Sequence, residues 1–286
     1  MRVIYIAGTA HSGSTLLDMM LNAHPEIVSV GELLKLNRVI KYSKGIAKAT
    51  RCSCGAVGLL QCSFWSRVNK KVEEATGKSI IELKIDDYDE GKTEPDANSA
   101  IFRAIAQVSG KKFVVDSSKI PRRLRHLMRN KELNVYPIHL VRSPAGQIAS
   151  VISQHGLMKS ILYYEVVHAQ IRRALKSIPH GIVRYEDLVA DQTSTLQNIL
   201  EPIGLDFHPA QLRWAEQEKH SFAGNHARFR PTSEIVLDQG WRDRLSRSQR
   251  FLIKLGTCAS RVNMFAARRL ALPPMVRGFT SVKRRT

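Results

Sequence analysis

The chain of 286 residues is 43% hydrophobic and 24% charged, ordinary values for a soluble globular protein with a sizeable core. Its charge balance is not ordinary. With 44 Lys and Arg against 25 Asp and Glu, the formal charge is +19, which favours anionic partners such as a nucleotide, an acidic glycan, nucleic acid or anionic lipid. No run approaches the length of a membrane span and no signal peptide is visible, so the cytoplasm is the expected location.

Residues 2–7 read as a buried strand, followed by Gly8-Thr9-Ala10-His11-Ser12-Gly13-Ser14-Thr15 and a helix expected over 13–22. A glycine loop between strand and helix turns several backbone N–H groups toward one point, which suits a phosphate or another oxyanion. The spacing is that of the nucleotide P-loop, except that Ser14 stands where the lysine belongs. An extended stretch at 27–30 precedes Gly31-Glu32, and a helix is expected over 31–42. Residues 43–62 read as an irregular insertion carrying Cys52, Cys54 and Cys62. This C-x-C-x7-C spacing lacks a clear fourth ligand nearby, so reduced, packing cysteines are the reading preferred over a metal site. Helices are expected over 64–76 and 96–109, with a second irregular stretch at 86–95.

A strand at 112–116 leads into Asp116-Ser117-Ser118-Lys119, and a helix is expected over 122–130. The strand at 135–141 ends at Arg142, and Ser143-Pro144 suits the cap and first position of a helix over 144–155. Arg142 therefore lies beside a helix N-terminus, a second candidate anion site. A helix over 160–177, a strand at 181–184, Tyr185-Glu186-Asp187 and a helix over 193–203 follow. Residues 219–239 read as a long polar loop. A helical pattern returns past Leu245 and fades after Pro273-Pro274. The last segment, 268–286, is a basic tail containing Arg268, Arg269, Arg277 and Lys283-Arg284-Arg285. It reads as a solvated end, with peripheral membrane contact as its other use.

Alternating strands and helices predict one three-layer α/β/α domain with a mainly parallel sheet, like that of P-loop NTPases. In such folds, ligands sit beyond the carboxyl ends of the strands. Four motifs land there: the glycine loop, Asp116–Lys119, Arg142-Ser143-Pro144 and Tyr185-Glu186-Asp187. Two anion sites at different strand ends suggest a ligand with phosphates at both ends of a nucleoside.

These residues resemble a family. Ala-His-Ser-Gly-Ser-Thr-Leu-Leu from Ala10, through His24-Pro25-Glu26 to Gly31-Glu32, is similar to the 5′-phosphosulfate loop of sulfotransferases that use 3′-phosphoadenosine 5′-phosphosulfate (PAPS), especially the tyrosylprotein and bacterial branches. Arg142-Ser-Pro-x5-Ser150 resembles their 3′-phosphate motif. Arg184-Tyr185-Glu186-Asp187-Leu188 resembles their Tyr-Glu-Asp-Leu segment, and Gly224-Asn225-x-x-Arg228 their C-terminal cofactor loop. The stretch from Cys52 to Trp65 also resembles one seen in bacterial members.

The resemblance implies sulfuryl transfer from PAPS, with PAP released and no metal required. It implies that His11, Ser12, Gly13, Ser14 and Thr15 hold the 5′ end of the donor, Arg142 and Ser150 the 3′-phosphate, and Tyr185, Asn225 and Arg228 the rest. Glu32 matches a catalytic base, and Lys119 a lysine near the transferred group. His11 stands where many members carry Lys or Arg, and Gln154 where the tyrosylprotein branch has another phosphate-binding arginine, for which Arg228 or Arg230 would compensate. A glycan, a lipid, a small natural product or a protein tyrosine all suit as acceptor, and no nucleic acid partner is expected. Two rivals stay open on the residues alone. One is a P-loop kinase or NTPase, with Phe113-Val114-Val115-Asp116 as a Walker-B-like strand; the other is a non-catalytic binder of acidic polymers.

Overall fold

A computed structural model describes residues 1–36, 51–85 and 97–258. Five strands, β1 (Arg2–Ala7), β2 (Ile27–Ser29), β3 (Phe113–Lys119), β4 (Asn134–Val141) and β5 (Gly181–Arg184), form one sheet in the order β2-β3-β1-β4-β5. Every pairing is parallel.

The sheet has helices on both faces because its central strand is apolar on both sides. Val3, Tyr5 and Ala7 enter one core with helices α2 (Ser63–Thr76), α3 (Ala97–Ser109) and α4 (Pro121–Arg129). Ile4 and Ile6 enter the other core, packed on the helix that follows β1, α1 (Ser14–Asn22). The fold is a three-layer α/β/α sandwich. From β1 the chain crosses to one side for β2 and β3, then to the other for β4 and β5. The carboxyl end of β1 is therefore the switch point, where such sheets open a crevice.

The expected strands are present, and β3 runs on to Lys119. Several helices differ. Over 31–42, the described part starts later than expected, with a 3₁₀ turn at Leu33–Lys35 and Leu36 helical after it, because Gly31 (φ 73°) and Glu32 (φ −82°, ψ 83°) are not helical. The single helix expected over 144–155 breaks into α5 (Pro144–Ala149) and α6 (Ile152–His155). At the break, Ser150 Oγ donates back to the Gly146 carbonyl at 3.0 Å, a local bond that bends helices. Gly156 at φ 74° ends α6 and opens α7 (Leu157–Leu175). Short elements that escaped the sequence pattern include α8 (Tyr185–Ala190) directly after β5, and a 3₁₀ run at Pro209–Glu216. Past α9 (Gln192–Leu200), Pro202 forces the last expected turn into 3₁₀ form.

The polar stretch at 219–239 is a loop with one 3₁₀ turn, His226–Phe229. Helices α10 (Trp241–Arg244) and α11 (Arg247–Gly256) follow. No helix among the described residues is long and apolar enough to cross a membrane. The expectations for 37–50, 86–96 and the basic tail lie outside the described residues.

Candidate active site

All five strands deliver a site residue at their carboxyl ends. β1 leads into the glycine loop, β2 into Gly31-Glu32, β3 ends on Lys119, β4 on Arg142, and β5 on Tyr185. A cavity of about 630 Å³ opens there, lined by His11, Gly13, Ser14, Thr15, Glu32, Lys119, Arg142, Ser150, Tyr185 and Asn225. That size suits a nucleotide-sized ligand. Of the remaining residues expected at the site, Ser12 lies buried under the loop. Arg228 turns to backbone carbonyls, Gly224 at 2.9 Å and Arg51 at 3.4 Å, while Arg230 lines the cavity instead. Gln154 is exposed and outside the cavity.

The glycine loop is shaped to receive an anion. Gly13 takes φ 96°, open to glycine but costly for other residues, and a Cβ there would stand 2.5 Å from the Tyr185 ring. No side chain caps α1. The N–H groups of Ser14 and Thr15 open that helix, with no carbonyl one turn back to accept them. The hydroxyls of Thr9 and Ser12 are buried without a partner, although buried hydroxyls normally have one. An oxyanion at the start of α1 would satisfy the free N–H groups of Ser14 and Thr15 and the dipole together. From the far side, Asn225 N donates to Thr15 Oγ1 at 3.2 Å, tying the 219–239 loop to the start of α1.

Among the described residues, only two non-glycine residues have left-handed backbone, His11 (φ 60°) and Lys119 (φ 72°), and both line the cavity. Such conformations cost about 1 kcal/mol or more and persist where the surroundings enforce them. Around His11 the enforcement is visible. Arg142 Nη1 donates to its carbonyl at 2.9 Å, and Gln147 Nε2 donates to the Ala10 carbonyl at 3.0 Å. Ala10 N donates to the Tyr163 hydroxyl at 3.2 Å.

Glu32 is 8% exposed and bridges two ammonium groups, Lys35 at 2.8 Å and Lys119 at 3.0 Å. Burial pushes its carboxyl up, but the two lysines outweigh it and hold the group below the usual carboxylate range. Lys119 is buried, which lowers its pKa, while Glu32 pulls it back. Its Nζ also donates to the Ser117 carbonyl at 3.2 Å. The His11 pKa is pushed down, first by burial and then by Arg142, Lys119 and Lys35, which favours the neutral imidazole. It therefore offers the cavity hydrogen bonds rather than charge.

Arg142 is held on three sides. Its guanidinium lies 4.7 Å over the Tyr185 ring, bonds the His11 carbonyl, and meets Asp238 Oδ2 at 2.8 Å. The Tyr164 hydroxyl donates to the Arg142 carbonyl at 2.8 Å. Two of these neighbours, Lys35 and Asp238, were not singled out in the sequence. Lys35 stands three residues after Glu32, a spacing that signals an ion pair within one turn. Asp238 carries no local signal, being 96 residues from Arg142. The cavity gathers Lys35, Lys119, Arg142 and Arg230 against two carboxylates, an excess of positive charge facing a would-be phosphate.

The Walker-B-like aspartate is committed elsewhere. Asp116 is fully buried, accepts Arg123 Nε at 2.7 Å and Ser118 N at 2.9 Å, and does not line the cavity.

Comparisons with known proteins bear on the family and the fold. No curated protein matches the sequence. The sulfotransferase domain of the Synechococcus PCC 7002 olefin synthase superposes with a TM-score of 0.54 at 19% identity, covering 96% of each chain. The sulfotransferase domain from the curacin biosynthetic pathway gives 0.52 at 18% identity, over 88% of this chain and 95% of that one. At such identities the likeness speaks for the fold. The family model described as "Sulfotransferase family" matches residues 3–209, from β1 to the start of the 3₁₀ run before the polar loop. With that match spanning the glycine loop, Glu32, Lys119, Arg142 and Tyr185, the chain belongs to the sulfotransferase family.

Proposed function

We propose that the chain transfers a sulfuryl group from PAPS to a hydroxyl or amine acceptor, with Glu32 as the general base. One observation carries this reading: an ionised, buried carboxylate paired with a buried lysine lies in the same cavity as an uncapped helix N-terminus and an arginine.

The free donors fit the proposed co-substrate. The backbone N–H groups of Ser12 through Thr15, with the Ser14 and Thr15 hydroxyls, would hold the 5′-phosphate end, and His11 would add a hydrogen bond there. Arg142 and Ser150 would hold the 3′-phosphate, with Tyr185 and Asn225 flanking the nucleoside. PAPS supplies the sulfuryl group and departs as the bisphosphate. The protein's task is positioning and charge stabilisation. Glu32 takes the acceptor proton as the acceptor oxygen bonds to sulfur and loses basicity, so a carboxylate of low pKa is base enough. Lys119 places a positive charge beside that carboxylate and near the leaving oxygen. A glycan, a lipid alcohol, a small natural product or a protein tyrosine suits as acceptor.

The test is incubation with sulfur-labelled PAPS and a metabolite extract, with magnesium omitted. Label should pass to an acceptor as PAP accumulates. Transfer that required magnesium and used ATP as donor would move the assignment to a P-loop kinase. The buried, fully engaged Asp116 argues against that kinase.

A further inference from the structure

Outside the residues that line the cavity lies a cluster that the sulfuryl chemistry does not use. Cys52, Cys54 and Cys62 come together with His220, a residue from the polar loop, and their ligating atoms all lie within 4.8 Å of one another. We propose that these four residues bind one structural zinc ion.

Three of the six distances between ligating atoms are close to those of a tetrahedron. With zinc–sulfur bonds of about 2.3 Å, two sulfurs stand about 3.8 Å apart, and with a zinc–nitrogen bond of about 2.0 Å a sulfur and a nitrogen stand about 3.5 Å apart. Cys52 and Cys62 Sγ are separated by 3.8 Å, Cys54 and Cys62 Sγ by 3.7 Å, and Cys62 Sγ and His220 Nδ1 by 3.3 Å. The widest pair needs a closure of about 1 Å to reach the same geometry. Three soft thiolates and one imidazole select zinc over magnesium or calcium. Four protein ligands complete its shell, which marks a structural site rather than a catalytic one. On binding, the three thiols release their protons to solvent and neutral His220 supplies its Nδ1 lone pair.

The surroundings support the ligands as metal sites require. His220 Nε2, the nitrogen facing away from the sulfurs, meets Glu218 Oε1 at 3.2 Å. A carboxylate there fixes the tautomer that leaves Nδ1 free to ligate. Phe64 stacks flat on the imidazole, with ring centres 4.6 Å apart, and Trp65 Nε1 donates to the His220 carbonyl at 2.7 Å. The two ligand-bearing segments are also joined by backbone: Ser53 N donates to the Ser221 carbonyl at 3.0 Å, and Ser221 N to Ser53 Oγ at 2.9 Å.

The position gives the ion a purpose. Ser221, next to His220, presses against Gly31, where an added Cβ would lie 2.4 Å from its Oγ. Four residues further along, Asn225 N holds Thr15. The zinc therefore fastens the polar loop to the cysteine insertion, directly behind Glu32 and over the start of α1.

The test needs no activity. Full-length protein, reduced and dialysed against zinc chloride and then buffer, should retain about one zinc per chain by elemental analysis, against less than about 0.2 for Cys62→Ser and His220→Ala. Cys258→Ala, which removes the exposed cysteine outside the cluster, should keep the full amount. Where a ligand variant fails to fold, cobalt loading of the wild type decides. Intense ligand-field bands with thiolate-to-cobalt charge transfer support the site, and the weak bands of octahedral cobalt overturn it. Folded, reduced wild type that retains less than about 0.2 zinc overturns the proposal, as does zinc that persists in Cys62→Ser. A disulfide among the three cysteines in protein purified without oxidant, with no zinc present, overturns it too.

Discussion

Glu32 Oε1 and Lys119 Nζ stand 3.0 Å apart at the ends of adjacent strands, both withdrawn from solvent. Neither side chain would be stable there alone, since a lone buried charge is costly. Together they keep a ready proton acceptor beside a fixed positive charge. Glu32→Gln removes the acceptor while keeping shape and hydrogen bonding. It should lower kcat by about 10²–10⁴-fold and leave the dissociation constant for PAP nearly unchanged. Isothermal titration with PAP, paired with turnover under labelled PAPS, checks this; turnover near the parent's removes Glu32 as the base.

Lys119→Ala should act on kcat and also on its pH dependence. Burial pushes the Glu32 carboxyl up, and the two lysines bring it down past its ordinary value. With Lys119 gone, burial gains weight and the Glu32 pKa rises. A base must be deprotonated to work, so the acid limb of kcat/KM should move to higher pH. An unmoved limb with unchanged kcat assigns Lys119 to folding alone. Lys119→Gly is the companion variant. It loses the same charge but suits the φ of 72°, so it should melt no lower than Lys119→Ala.

Arg142 and Asp238 make opposite predictions for the same ligand. Arg142→Ala should weaken PAP binding by about 10–100-fold, the range for a lost charge-assisted bond, with little change in the sulfuryl step. Asp238 occupies part of the guanidinium that a phosphate would use, and it is 42% exposed. Asp238→Asn should tighten PAP binding by up to about 5-fold at low salt, the ceiling for a partly exposed ion pair. Weaker binding in that variant would mean that Asp238 positions Arg142 rather than competing for it.

The framework of the fold was legible because it rests on local signals. Alternating apolar runs marked the strands, and short motifs at their carboxyl ends marked where a ligand sits. Relations that depend on chain return were not legible. His220 meets Cys62 across 158 residues, so the cysteine spacing looked one ligand short. Asp238 reaches Arg142 across 96 residues with no motif around it. The break after α5 was not legible either, since Val151 leaves helical geometry (φ −128°, ψ −7°) inside an otherwise helical pattern.

Asp18 yields a prediction about stability. It lies in α1, 4% exposed, and accepts a hydrogen bond from the Ser29 hydroxyl. Ser29 Oγ in turn accepts Gly31 N at 3.2 Å, so this chain of bonds supports the turn that presents Glu32. Burial pushes the Asp18 carboxyl up to about 6, against the opposing pull of the Ser29 and Ser117 hydroxyls and of Lys219 and Lys119. A carboxyl with a raised pKa in the folded state binds its proton more tightly folded than unfolded. Stability from this group is therefore present below pH about 4 and is lost as pH climbs through about 6, a loss on the order of 3 kcal/mol. Asp18→Asn does not titrate, keeps an acceptor for Ser29 and offers a donor to Ser117. Its Tm relative to the parent should rise steadily from pH 4 to 7 and then level off. Melting both proteins across that range is the check. A constant difference would show that Asp18 ionises in the folded protein at its ordinary pKa.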